Sequence, residues 1–406
     1  MPVSTRVPLT GRAVAGLAAA LMTLAATPAA AAEPPSAPVE VRLQAPTGRQ
    51  PIGTAALRLV DRSRPDPWVA ARPYRELMVS LWYPASAAAD LPLAPQMTPR
   101  AAADFDKTLA PAVFGIRPGQ ADWAATRTHA RAGAPVDRRA RRLPVVLFSA
   151  GFGAPRTIGA TLVEELAARG YLVVGVDHTY EAAQVEFPGG RVERARIPAR
   201  PTPADMTKAQ DVRVADMTFV LDRLERLGRR AGLDTEGASL PAGLRGSIDL
   251  SRVGVFGHSM GGATAAQITR GDRRVDVGVN LDGGFRGSVA ETGVAKPFLQ
   301  MAAEDHTRES DPSWKSFWAA SSGWKRELRF TGAAHYSFTD AEVLAPQLAR
   351  ELGVPTRDLI GTIDPERAVA AQRAFVTAFF DLHLKGRPTP LFEGQSRRFP
   401  EVKPIP

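Results

Sequence analysis

No cysteine occurs anywhere in the 406 residues. Its absence excludes disulfide bridges, cysteine-ligated zinc, iron–sulfur clusters and a thiol nucleophile, so the core must hold by packing alone. Lysine-rich runs with interleaved aromatics are also missing. The formal charge of +9 is mainly arginine spread along the chain, which argues against a nucleic-acid partner. No self-similarity with a period of about 20 to 50 residues is visible, which sets aside solenoids and propellers. What is present is ordinary for a globular protein: 44% apolar and 23% charged residues, enough to bury a real core.

The N-terminus reads as an export signal. Arg6 and Arg12 precede a charge-free stretch from Ala13 to Thr27, and the small residues Ala29 to Ala32 follow just before Glu33. The stretch is alanine-rich and short for a bilayer, so removal after Ala32 is expected rather than anchoring. Loss of Arg6 and Arg12 would take the charge from +9 to +7, a basic surface suited to anionic lipid or cell-wall material.

Residues 33–54 are expected as a leader and linker, and 55–406 as one domain. Short strands are predicted over Ala55 to Val60 and Leu77 to Tyr83. Residues 86–142, rich in alanine, proline and arginine, are expected as an irregular insertion with short helices, a place for a lid or entrance. Phe114 and Trp123 within it are candidates for a mouth or interfacial surface. After Arg142 buried strands alternate with helices: strands Leu143 to Phe148, Tyr171 to Val176, Val253 to Phe256, Val275 to Leu281, Pro297 to Met301 and Glu327 to Phe330. Helices are expected over Ile158 to Ala168, Ala204 to Arg230, Gly261 to Thr269 and Pro365 to Leu384. That order predicts an α/β fold with a mainly parallel sheet covered on both faces.

One G-x-S-x-G motif occurs, Gly257-His258-Ser259-Met260-Gly261, between a predicted buried strand and a predicted helix. A serine on so sharp a turn is exposed for attack, and the flanking glycines leave it room. Its hydroxyl needs a base. Of six histidines, His129 and His178 precede the serine, His258 lies inside the motif with its ring expected to turn away, and His383 lies late in a helix. His335, in a glycine-containing loop after a strand, is the expected base, with His306 the minor alternative. The acid that orients the base could be Asp282 or Asp305, each ending a strand between Ser259 and His335. The Gly283-Gly284 turn inclines toward Asp282. Oxyanion donors are expected from the backbone of Met260 and of Phe152, the latter in Ser149-Ala150-Gly151-Phe152-Gly153-Ala154.

From about Leu77 to Lys385 the chain resembles the platelet-activating-factor acetylhydrolase family of α/β-hydrolases, the plasma and isoform II branch. The resemblance rests on the strand and loop from Val145 to Gly153, Val176-Asp177-His178, Gly257 to Gly262, Leu281-Asp282, and Ala334-His335-Tyr336-Ser337-Phe338-Thr339-Asp340. It implies an α/β-hydrolase fold, with Asp282 as acid, no calcium and no cofactor. It departs at Ala150, where that family usually carries a histidine, which bears on substrate preference. The implied activity is a secreted serine ester hydrolase, with an ester or phospholipid as substrate and transient contact with a lipid surface. Two alternatives stand beside it: a cutinase-like lipase or polyesterase using Asp305, and a non-catalytic binding protein on the same fold. Trp314, Phe317 and Trp318 recur at helical spacing, as a core-facing stripe or an acyl pocket. Acyl length, head group and oligomeric state are not legible from these residues.

Overall fold

Thirteen strands are found among the described residues: β1 (Ile52–Asp61), β2 (Arg75–Pro84), β3 (Leu93–Pro95), β4 (Arg127–Ala132), β5 (Leu143–Ser149), β6 (Leu172–Asp177), β7 (Gln184–Phe187), β8 (Arg191–Arg194), β9 (Ile248–His258), β10 (Val277–Leu281), β11 (Phe298–Ala302), β12 (Lys325–Phe330) and β13 (Val402–Ile405). The computed structural model describes residues 37–87, 89–229 and 240–406; the expected export signal lies outside them. Eleven of the strands form one sheet in the order β13-β12-β11-β10-β9-β5-β6-β2-β1-β4-β3, while β7 and β8 pair as a separate hairpin.

Six neighbours, β6, β5, β9, β10, β11 and β12, run parallel. β13 and β2 flank them antiparallel. β5, β6, β10, β11 and the second half of β9 are buried on both faces and read as nearly continuous apolar runs, which is why they were visible in the sequence. Side chains alternate between the faces. Val145, Leu147, Val253 and Val255 meet Met217, Val220 and Leu224 of the helix Pro203–Arg229 and Ala265 and Ile268 of the helix Met260–Gly271. Val146, Phe148 and Phe256 face the opposite layer, the helices Ala160–Ala168 and Pro365–Lys385, through Leu162, Val163, Phe375 and Phe380. The last helix starts where local chemistry says it should: Asp364 Oδ1 accepts the Arg367 amide at 2.9 Å, Pro365 follows, and Gly386 at φ 64° ends it.

Three expectations need correction. β1 begins at Ile52 rather than Ala55, and the segment before it is packed rather than a free linker: Val39 bridges Ala121, while Val41 and Leu43 are buried. The 86–142 insertion carries the helices Pro99–Lys107 and Leu109–Phe114 and the strands β3 and β4. Phe114 and Trp123 do not form a mouth. Trp123 is 1% exposed, with Phe105 edge-on at 4.9 Å and Phe114 stacked at 5.4 Å, and the cluster extends to Leu344 and Leu348. Burying these rings against the leader offsets the entropy of ordering both segments.

Candidate active site

The sheet order brings the C-terminal ends of β9, β10, β11 and β12 side by side, and the predicted residues follow those ends. Ser259 comes directly after β9 with φ 55° and ψ −123°, a conformation that ordinary side chains rarely adopt. Its amide donates to Leu281 O at 2.8 Å, tying the turn to β10. The turn tolerates no bulk. A Cβ on Gly261 would stand 1.9 Å from Ser149 O, and one on Gly262 would stand 1.8 Å from Asn280 Oδ1.

Asp282 follows β10, itself at φ 58°, and its amide donates to Met301 O at 2.8 Å. Asn280 fixes the next residue, accepting the Gly283 amide at 2.9 Å and donating to Gly283 O at 2.7 Å. His335 opens a 3₁₀ turn, His335–Phe338, after β12. Its Nδ1 lies 2.6 Å from Asp282 Oδ2. The carboxylate accepts, so Nδ1 carries the proton and Nε2 is left with a lone pair. Burial would raise the Asp282 pKa, but hydrogen bonds from His306 and His335 and their charge hold it below the usual carboxylate range. Asp305 is exposed, and its carboxylate makes no hydrogen bond or ion pair among the described residues. The structure therefore brings Asp282, not Asp305, to His335.

His258 does not turn away. Its ring centroid lies 4.5 Å from that of His335, and its Nε2–H donates to the His335 carbonyl at 2.9 Å. Burial first, then the electrostatic influence of the neighbouring His335 ring, pushes its pKa down to about 3, so it is neutral near pH 7. His306 is also recruited: Nδ1 lies 3.0 Å from Asp282 Oδ1 and Nε2 lies 2.9 Å from Asp311 Oδ2. With both nitrogens engaged it has no lone pair to offer Ser259. Trp314 and Phe317 take the core-stripe position, 0% and 1% exposed, rather than lining an open pocket.

The loop after β5 lies against the turn, since a Cβ on Gly151 would sit 2.9 Å from His258 Nδ1 and 3.4 Å from Ser259 Cβ. The amides of Phe152 and Met260 make no hydrogen bond among the described residues. Beneath the loop lies a buried cluster that the sequence reading missed. Arg213 donates to Ala150 O at 2.5 Å, Gly151 O at 2.9 Å and Ser149 Oγ at 3.0 Å, and pairs with Glu181 at 2.5 Å. Glu181 in turn accepts the Gly153 amide at 3.1 Å. His178 donates from Nδ1 to Asp216 at 2.9 Å, and its Nε2, 3.0 Å from Ser149 Oγ, accepts from that hydroxyl. Arg75 completes the set on Asp216 at 2.8 Å. The available signal was Arg213 and Asp216, charged and three apart beside the apolar stripe position Met217.

The 1-alkyl-2-acetylglycerophosphocholine esterase described as probable in Arthroderma benhamiae is 29% identical over 273 residues, 64% of this chain and 65% of that protein. The platelet-activating factor acetylhydrolase of Gallus gallus is 24% identical over 271 residues, 60% of this chain and 62% of that one. The chain thus matches just under two thirds of the length of these relatives. Among solved structures, a ferulic acid esterase from Streptomyces cinnamoneus superimposes with a TM-score of 0.73 at 38% identity, covering 90% of this chain and 99% of that one. The family pattern described as platelet-activating factor acetylhydrolase, isoform II, matches residues 73–201 and 233–388, which leaves Arg213 and Asp216 between its two segments. On that match the chain belongs to the platelet-activating factor acetylhydrolase isoform II family.

Proposed function

We propose that the protein is an exported serine carboxylic-ester hydrolase. The observation that carries the reading is the 2.6 Å contact between His335 Nδ1 and Asp282 Oδ2, beside a serine held on a strained strand-to-helix turn. Ser259 Oγ attacks the ester carbonyl while His335 Nε2 takes its proton. The amides of Phe152 and Met260 receive the oxyanion. The C–O bond breaks, the alcohol leaves with the proton from His335, and an acyl-Ser259 remains. Water activated by His335 then releases the acid. Asp282 stays ionised throughout and stabilises the imidazolium. Ser259→Ala is expected to abolish turnover of p-nitrophenyl acetate and labelling by a fluorophosphonate. A variant as active as wild type would exclude this assignment.

For the substrate, the names of the relatives support a short-acyl or lipid ester. Export is supported by the order of charge, apolar stretch and small residues at the N-terminus; among the described residues no helix is long and apolar enough to cross a membrane. The solved ferulic acid esterase, alike over 90% of this chain, favours a second reading in which the acyl group carries an aromatic ring. Rates on p-nitrophenyl esters from acetate to palmitate, on a 2-acetyl phospholipid and on methyl ferulate separate the two.

A further inference from the structure

Two histidines share one carboxylate. Asp282 Oδ2 accepts from His335, while Oδ1 accepts from His306 Nδ1 at 3.0 Å and from the Ala303 amide at 2.8 Å. His306 also reaches the other way, with Nε2 2.9 Å from Asp311 Oδ2. A carboxylate oxygen only accepts, so a ring whose two nitrogens each face one carries a proton on both. His306 is therefore an imidazolium. Burial opposes that charge, but the hydrogen bonds and negative charge of Asp282 and Asp311 outweigh it and push the pKa up to about 9.

The surroundings hold this ring in place. Asp311 caps the helix Pro312–Ala320 through Oδ1, which accepts the Ser313 amide at 2.8 Å. Trp314 of the same helix lies against the ring, centroids 4.2 Å apart, and its Nε1–H donates to Gly283 O at 2.7 Å. From β12, Glu327 faces it, paired with Arg308 at 3.1 Å. On its own loop, Glu304 accepts the Gly332 amide at 2.7 Å and Asp305 is exposed.

We infer that His306 is a positioning residue, a fixed cation on the far side of Asp282 that holds this carboxylate ionised with Oδ2 turned to His335, so that the site keeps its activity to lower pH than it would without that cation. A cation and its hydrogen bond on a buried carboxylate oppose protonation of that carboxylate, and replacing His306 removes both the charge and one of the bonds that fix its orientation. The inference rests on the proposed role of His335 as base.

The test is the pH dependence of kcat/KM for p-nitrophenyl acetate in wild type and His306→Asn, with product measured chromatographically. Asparagine sets a neutral N–H near the place of Nδ1. The acidic limb is expected about one pH unit higher than in wild type, with the plateau read separately. An unmoved limb, including a plateau lowered equally at every pH, overturns the inference. Should His306→Asn not fold, ¹⁵N-histidine spectra of the wild-type protein at pH 8 decide: one ring protonated at both nitrogens supports it, and its absence overturns it. Ser259→Ala, run alongside, separates the failures. An inactive Ser259→Ala with an unmoved limb overturns this inference alone, whereas an active one overturns the reading of the site and this inference with it.

Discussion

Ser259 carries its strain because everything around it over-determines the turn. The Leu281 carbonyl holds its amide, and two glycines admit the backbone of Ser149 at the end of β5 and the side-chain amide of Asn280 on β10 at distances that a methyl group would block. The acid is the sharper question, and it divides cleanly. Asp282→Asn is expected to lower kcat by about 10⁴ because His335 would lose its correct tautomer, while Asp305→Asn, whose exposed carboxylate has no partner among the described residues, leaves kcat unchanged. Steady-state kinetics on the two variants check it; a deficit in Asp305→Asn instead would reverse the assignment. The positions of Ser259, Asp282 and His335 were legible because each follows a strand and sits near glycine, a pattern local in sequence. The parts played by His258 and His306 were not, since each depends on which group a ring meets 77 or 24 residues away.

At the scale of elements, the helix Pro203–Arg229 does more than cover the sheet. Its Arg213 grips two carbonyls of the loop that carries Phe152, while Glu181 takes the Gly153 amide, so loop geometry is set from below by a charge pair 1% exposed on each side. Ala150 needs no side chain for this, because its carbonyl is the group that Arg213 holds. Arg213→Met would leave the Glu181 carboxylate buried without its partner, costing about 3 to 5 kcal/mol of stability. Pairing it with Glu181→Gln removes that charge. The double variant is expected to regain most of the lost Tm yet keep a kcat lower by roughly 10² to 10³, the usual cost of a misplaced oxyanion donor. Full recovery of kcat together with Tm would show that the clamp only supports folding. The same scale explains what sequence could not show. β4, Arg-Thr-His-Ala-Arg-Ala, is short and charged where β5, β6, β10 and β11 run apolar, and the helix Ala341–Leu352 carries Pro346 inside its stripe of Ala341, Leu344, Ala345 and Leu348, so a residue that argues against a helix interior hid its period.

For the whole molecule, buried ionisable groups set how stability varies with pH. Asp282 and Asp216 have folded pKa values below their ordinary ones, despite burial, because His306 and His335 on the one and Arg75 and His178 on the other favour the ionised form. Their contribution is present above about pH 4 and is lost as pH falls further. His306 works in the opposite sense: its folded value, about 9, exceeds the free value near 6.5, so its contribution is full below about pH 6.5 and fades as pH rises through 9. Glu342 adds to that alkaline loss. It is 0% exposed, and burial, opposed by the Ser337 hydroxyl and reinforced by the charge of Asp364, raises its pKa to about 8. The folded state therefore holds a proton that the unfolded chain releases near pH 4, and stability falls as pH rises from there through about 8. Glu342→Gln has no proton to lose. Thermal melts of wild type and variant should lie closest near pH 4, where the unfolded carboxyl also keeps much of its proton, and diverge through pH 5 toward pH 8 with the variant the more stable. A Tm difference that does not change between pH 5 and 8 would mean that Glu342 is ionised in the folded protein and finds compensation in its surroundings.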